Sequence, residues 1–88
     1  MRGEPMQFSI HPNPAQDEIE VALQSPLNQN ATIEIFDALG AQIFSGSKNL
    51  IFGSNSFHID TKSLSEGMYF VRVTSPSGSV SQNFVKIK

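Results

Sequence analysis

The two histidines, His11 and His58, are the side chains best suited to acid–base chemistry near neutral pH. A serine or threonine nucleophile needs such a base held beside it, so a catalytic site would have to position one of them. His58 alternates with Phe57 and Ile59, whose apolar side chains are predicted to face inward. His58 is therefore predicted to face solvent, and the sequence indicates a protein that is not an enzyme.

Carboxylates are the second group that could carry chemistry, as ligands for a hard cation such as Ca²⁺. The candidates are Asp17, Glu18, Glu20 and Glu34. Their spacing is not that of an EF-hand loop, so a calcium site would need separate loops to converge. A solvated charged face is the preferred interpretation, and neither a metal nor a cofactor is predicted.

Aromatic side chains can bind a sugar by stacking or a partner protein by apolar contact. The chain has no tryptophan, and its single tyrosine, Tyr69, is assigned to the core. Phe44, Phe52 and Phe70 are candidates for exposed positions, with a second core layer or a partner surface as equal explanations. One function class is therefore a non-catalytic binding or spacer module of an extracellular enzyme, carbohydrate-binding or adhesin-like.

Composition excludes several other classes. The formal charge of −2 provides no basic stripe for nucleic acid, and the absence of cysteine excludes disulfides and thiolate metal sites. No run reaches the roughly 18 apolar residues of a membrane span. The 88 residues suit one domain, predicted at residues 7–88. Residues 1–6 are interpreted as a linker or a cloning remnant, because no apolar signal-peptide segment follows Met1.

Alternating apolar and polar residues predict strands throughout the chain. The clearest case places Ile19, Val21 and Leu23 on one face. The predicted strands lie at residues 7–10, 18–23, 31–36, 41–45, 55–59, 67–74 and 80–87. About seven short strands separated by turns predict an all-β, immunoglobulin-like or fibronectin-like antiparallel sandwich. Residues 25–30 are expected to be a loop. Residues 46–55 are expected to be a long loop, with a short edge strand within it as the alternative.

Two glycines mark turns that position these strands. Asp37 can bond the backbone ahead of it, and Gly40 can take the positive φ that closes a type I turn with a bulge. The strand after this turn should therefore pair antiparallel with the strand before it. Leu64 and Gly67 precede Tyr69 in a pattern similar to a tyrosine corner, in which the phenol bonds to backbone.

Four segments occur in an order that resembles a known family. They are His11-Pro12-Asn13-Pro14-Ala15, Ile35-Phe36-Asp37-Ala38-Leu39-Gly40, Gly67-Met68-Tyr69-Phe70-Val71 and Phe84-Val85-Lys86. Together they resemble the C-terminal sorting domain family of the type IX (Por) secretion system. The sorting-motif residues that this resemblance implies are Pro12, Asn13, Pro14, Asp37, Gly40, Gly67, Tyr69, Val71, Phe84, Val85, Lys86 and Lys88.

The resemblance also implies a function. Such a domain directs an upstream cargo protein through the periplasm and across the outer membrane, to the medium or the cell surface. Its implied partners are the outer-membrane translocation machinery and a sortase-like peptidase. The peptidase would remove the domain before its first strand and join the cargo to a lipopolysaccharide anchor.

Two expectations depend on individual motif positions. His11 stands where the family usually has tyrosine, and we expect it to cover the end of the sandwich as an aromatic lid. Lys86 and Lys88 are expected at the exposed end of the last strand, where neither contributes to the core.

Overall fold

The computed structural model describes residues 7–87, which form seven β-strands and their connections. The strands are β1 (Gln7–His11), β2 (Glu18–Ser25), β3 (Gln29–Asp37), β4 (Gln42–Leu50), β5 (Gly53–Asp60), β6 (Gly67–Ser75) and β7 (Gly78–Lys86). The predicted all-β fold is therefore confirmed. None of residues 7–87 belongs to a helix that could cross a bilayer. The predicted linker, residues 1–6, and Lys88 lie outside this range.

The strands form two sheets. One has the order β1-β2-β5 and the other the order β4-β3-β6-β7, with all hydrogen-bonded neighbours antiparallel. The chain changes sheet after β2, after β4 and after β5, and the other three connections join neighbouring strands of the same sheet. This is the sandwich arrangement of immunoglobulin-like and fibronectin-like domains, as the sequence predicts.

Inward-facing side chains from every strand form one buried cluster between the sheets. Its members are Phe8, Ala15, Ile19, Val21, Leu23, Ala31, Ile33, Ile35, Leu50, Ile59, Tyr69, Val71, Val73 and Phe84. Burying one large apolar side chain contributes about 1.5–3 kcal/mol, so this cluster supplies most of the driving force for folding. The alternation that predicts the strands also identifies most of these residues.

The prediction of a loop at residues 46–55 is wrong. β4 continues to Leu50, which is buried, and β5 begins at Gly53. The polar stretch before Leu50 belongs to a strand because it pairs along its length with β3. Hydrogen bonds between backbones hold such a strand whatever its composition, and composition alone therefore did not reveal it.

The connection between β2 and β3 is also shorter than predicted, with only residues 26–28 outside the strands. Two asparagine side chains support the tight β4–β5 connection nearby. The Asn28 Oδ1 accepts a hydrogen bond from the Phe52 amide at 2.7 Å, and the Asn55 Oδ1 accepts one from the Ile51 amide at 2.9 Å. Two residues are thus enough to join β4 to β5 without leaving their amides unpaired.

Backbone conformation, rather than space, requires glycine at positions 40 and 67. Gly40 has φ 90° and Gly67 has φ 148°, and an added Cβ would meet no atom within 4 Å at either position. We expect Gly40→Ala and Gly67→Ala each to lower the free energy of unfolding by about 1–3 kcal/mol, the usual cost of such backbone strain. Urea denaturation measures this loss.

Gly46→Ala is the matched control for these substitutions, since Gly46 is not among the glycines with positive φ. A Cβ there would lie 3.4 Å from the Phe44 ring, which is itself partly exposed and able to shift. We expect a change below about 0.5 kcal/mol. Equal losses at all three glycines would show that positive φ is not the reason for glycine in the turns.

Candidate functional site

The predicted sorting-motif residues gather at one end of the sandwich. β1, β3 and β7 finish there, and β6 begins there. We call this the motif end, and it consists of residues 12–17, 37–41, 61–69 and 84–87. Ten of the twelve predicted residues lie in these segments; Val71 lies deeper, in the buried middle of β6, and Lys88 lies outside the described residues.

The first motif is hydrogen-bonded to the last strand. The amide of Ala15 donates to the Val85 carbonyl at 2.7 Å, and the amide of Ile87 donates to the Ala15 carbonyl at 2.8 Å. The Asn13 Oδ1 accepts a third hydrogen bond, from the Val85 amide, at 3.0 Å. We call these three hydrogen bonds the β7 clamp. They occupy the outer edge of β7 and join the two sheets through the backbone.

Pro12 and Pro14 flank the clamp on either side of Asn13, and both are preceded by cis peptide bonds. Neither proline has a backbone N–H, so this segment presents few donors that would need a partner. Ala15, which pairs with the edge of β7, is fully buried. The Pro-Asn-Pro-Ala sequence therefore supplies an acceptor in the Asn13 side chain and a small buried residue in Ala15. Its two prolines add no amide that would need a hydrogen-bond acceptor.

The third motif forms the tyrosine corner that the sequence predicts. The Tyr69 hydroxyl donates to the Ser65 carbonyl at 2.6 Å, four residues upstream. The Tyr69 ring stacks on Phe84 of β7, with 5.4 Å between ring centroids and 21° between ring planes. Tyr69 thus links the β5–β6 connection to the last strand.

The expectation that Lys86 is exposed is wrong. Only 6% of its surface is accessible, and its Nζ donates to the Leu64 carbonyl at 3.1 Å. Lys86 lies on the same face of β7 as Phe84, two residues earlier, and that face is the inner one. Its methylene chain fills the end of the core, while the ammonium group bonds to the corner.

Thr61 also helps to build the motif end, although no sequence pattern singles it out. It is fully buried, its amide donates to the Asp17 carbonyl at 2.8 Å, and its Oγ1 donates to the Gln16 carbonyl at 3.0 Å. These bonds fix the β5–β6 connection against the β1–β2 connection. A lone threonine after a strand gives no sequence signal of this role.

The second motif forms the predicted turn. The Asp37 Oδ1 accepts hydrogen bonds from the amides of Leu39 at 3.0 Å and Ala41 at 2.9 Å, and Gly40 donates to the Asp37 carbonyl at 2.9 Å. The turn therefore holds its shape through its own bonds. It presents Leu39, 95% exposed, to solvent.

A shallow recess of about 480 Å³ opens at the motif end beside the β7 clamp. Its lining residues are Pro12, Pro14, Gln16, Asp17, Glu18 and Ile87. The two carboxylates give this surface a negative charge. Ile87, the residue directly after β7, and the first motif thus share one accessible surface.

His11 does not form the predicted lid. Its ring is exposed on the outer face of β1, where Nε2 lies 3.0 Å from the Glu20 Oε1. The Ser56 hydroxyl donates to the other oxygen of Glu20 at 2.6 Å. The carboxylate lies between the hydroxyl and the imidazole, so the histidine is not placed to take a proton from the serine. His58 faces solvent, as predicted.

The carboxylates weighed as a calcium site belong to different sheets. Glu20 is on β2, whereas Glu34 is on β3 and accepts a hydrogen bond from Arg72 Nη2 at 2.9 Å. The Arg72 guanidinium also lies 5.0 Å from the centre of the Phe36 ring. Glu34 is therefore committed to an ion pair on the four-stranded sheet, far in the fold from Asp17 and Glu18.

The three phenylalanines considered as partner contacts are all substantially exposed, but they do not form one surface. Phe70 lies on the outer face of β6, Phe44 on β4 at the sheet edge, and Phe52 at the end opposite the motif end. Such scattered apolar residues are common on protein surfaces and do not by themselves define a binding site.

Comparison with known families agrees with this geometry. A family model described as a secretion system C-terminal sorting domain matches residues 9–88, and the match includes all four motif segments. A comparison with curated proteins gives no match.

The burial of Lys86 leads to a stability prediction. We expect Lys86→Ala to lower the free energy of unfolding by about 1–3 kcal/mol, because it removes buried methylenes and leaves the Leu64 carbonyl without this donor. Lys86→Met should restore part of the loss, since methionine keeps an apolar chain of similar length. Urea denaturation of the three proteins gives the comparison.

The control for this series is Lys62→Ala, which removes an exposed lysine from the same end of the sandwich. Its expected effect is below about 0.5 kcal/mol. If Lys86→Ala were as mild as this control, the side chain would not be part of the core in solution.

Proposed function

The chain belongs to the C-terminal sorting domain family of the type IX secretion system, and we propose that its motif end is the surface that the translocation machinery reads. The domain is a sorting signal for upstream cargo that is secreted or carried at the cell surface. The family is not a catalytic one. A carbohydrate-binding or adhesin-like module is not favoured.

The observation that supports this proposal is the convergence of the four motif segments. Spread over most of the sequence, they meet at one end of the sandwich. The β7 clamp joins the first to the fourth, stacking of Tyr69 on Phe84 joins the third to the fourth, and the β3–β6 pairing joins the second to the third. A spacer domain needs only its core and turns, and gains nothing from gathering these segments. A receptor that recognises many cargoes needs one surface that is present only when the domain is folded.

The position of the chain entry also suits a sorting role. β1 begins at Gln7, which pairs with Gln24 near the end opposite the motif end. The described chain measures 43 × 22 × 19 Å, so it is clearly elongated. Cargo would therefore join the domain away from the motif end, and its size or shape would not obstruct recognition there.

The same arrangement suits removal of the domain. We propose that residues 1–6 act as the linker and residues 7–88 as the sorting domain. A sortase-like peptidase would cut at or before this linker and transfer the cargo to a lipopolysaccharide anchor. The route passes through the periplasm and the outer membrane. Because the linker joins the domain opposite the motif end, cutting would not require release from the translocation machinery.

Recognition would use the exposed parts of the motif end, since buried residues such as Lys86 and Tyr69 act through the fold. Leu39 on its rigid turn and the recess beside Ile87 are the accessible apolar features. Asp17 and Glu18 add negative charge at the recess, which suits a receptor surface with basic side chains. A substitution of the buried Lys86 cannot separate an effect on recognition from an effect on folding, because it would alter both.

The test is export of a reporter protein fused ahead of this chain, in a bacterium with a type IX system. We expect the wild-type fusion in the medium or on the cell surface, and Leu39→Ser to shift it toward the periplasm. Losing an apolar interface contact of about 1–2 kcal/mol weakens binding about 5- to 30-fold. Leu39 is 95% exposed, so the melting temperature should stay nearly unchanged.

Ile51→Ser is the matched control, because Ile51 is an aliphatic residue, 60% exposed, at the opposite end. Its export should equal that of the wild type. If Leu39→Ser and Ile51→Ser were both exported normally, Leu39 would not be part of the surface that the machinery reads. Retention of the wild-type fusion in the periplasm would contradict the sorting function itself.

A further inference from the structure

Both histidines of the chain lie in one row on the outer face of the three-stranded sheet. His11 of β1 pairs with Glu20 of β2, and Glu20 pairs on its other side with His58 of β5. Their neighbours Ile19 and Ile59 point into the core, so all three side chains project to the solvent side. Two histidines that are far apart in sequence therefore flank one carboxylate.

The carboxylate of Glu20, at the centre of this row, is stabilised in its ionised form. The Ser56 hydroxyl donates to it at 2.6 Å, and the His11 ring contacts its other oxygen at 3.0 Å. These hydrogen bonds, that of Ser56 first, and the nearby charges of His11 and His58 lower the pKa of Glu20. An ionised carboxylate between two imidazoles is a metal-ligand set of the kind that zinc uses.

The surroundings of the row are acidic. Glu18 and Asp60 pair with each other in the next row on the same face, toward the motif end. The remaining outward residues of the three strands are Gln7, Ser9, Ala22, Gln24, Ser54 and Ser56. This face of the three strands carries three carboxylates and neither lysine nor arginine, so its potential favours a cation.

We propose that His11, Glu20 and His58 bind a divalent transition metal, with Zn²⁺ as the ion that best matches two nitrogen ligands and one carboxylate. Water would complete the coordination. The Ser56 hydroxyl can stay on the second oxygen of Glu20 and orient the carboxylate from outside the ligand set. The site does not depend on the sorting function.

Strand spacing brings the ligands within reach of one ion. Adjacent strands lie about 4.8 Å apart, so an ion above Glu20 is about 5 Å to the side of each histidine backbone. In their present rotamers, residues 7–87 include no group of three ligands that could hold a metal. His11 and Glu20 are already in contact, and His58 is exposed, so its ring can turn toward Glu20 by a rapid rotamer change.

Titration of the chain, prepared without a histidine tag, with Zn²⁺ in a calorimeter tests the proposal. We expect saturable binding of one ion per chain. His11→Ala and His58→Ala should each weaken it about tenfold or more, and Glu20→Gln should also weaken it. Glu34→Gln is the matched control, because it changes a central-strand carboxylate on the outer face of the other sheet and should leave Zn²⁺ binding unchanged.

Nuclear magnetic resonance of the imidazole nitrogens gives an independent readout, since the chain has only two histidines to assign. Zn²⁺ should shift the nitrogens of both rings together, in step with the calorimetric saturation. The melting temperature of His58→Ala without metal shows whether the variant is still folded. If it is folded and binds Zn²⁺ as tightly as the wild type, the proposed site is wrong. A shift confined to one ring, or the absence of saturable binding, would also overturn the site.

Discussion

The arrangement of the motif end depends on the pair of backbone hydrogen bonds between Ala15 and the last strand. β7 is an edge strand, and without these bonds its edge at Val85, and Ile87 directly after it, would lack backbone partners. Because Ala15 precedes β2 in one sheet and β7 belongs to the other, these bonds join the sheets directly. The pairing of β6 with β7 and of β3 with β6 already joins the other three motif segments, so loosening the Ala15 bonds would release the first motif from the rest.

A sorting signal of this kind is a property of the folded domain. Asn13, Tyr69 and Lys86 are separated widely in sequence, yet each contacts a segment that contains or adjoins another motif: Asn13 bonds to Val85, Tyr69 stacks on Phe84, and Lys86 bonds to Leu64. Most of their polar atoms face inward or bond to backbone, and this leaves few side chains for direct contact with a receptor. The motif residues therefore act mainly by building a surface, which the turn at Leu39 and the recess beside Ile87 present.

Much of the fold could be predicted because its core follows local rules. Alternation identifies the inner faces of β2 and β6, and the positive φ of Gly40 follows from its turn. What could not be predicted depends on partners distant in sequence. The polar end of β4 is a strand because β3 pairs with it, and the burial of Lys86 depends on a carbonyl of the corner that accepts a hydrogen bond from its ammonium group. The β7 clamp joins residues that are distant in sequence, so no periodic pattern in the sequence predicts it.

Native-state hydrogen exchange at Val85 and Ile87 tests the central role of the clamp most directly, because these amides bond to residues 13–15. We predict that both are protected nearly as well as amides of the paired core strands, and that Asn13→Ala speeds exchange at Val85 more than at Ile87. Exchange at both amides as fast as at unpaired amides of the edge strand β4 would contradict the account, because the first motif segment would then not be joined to the end of β7 in solution.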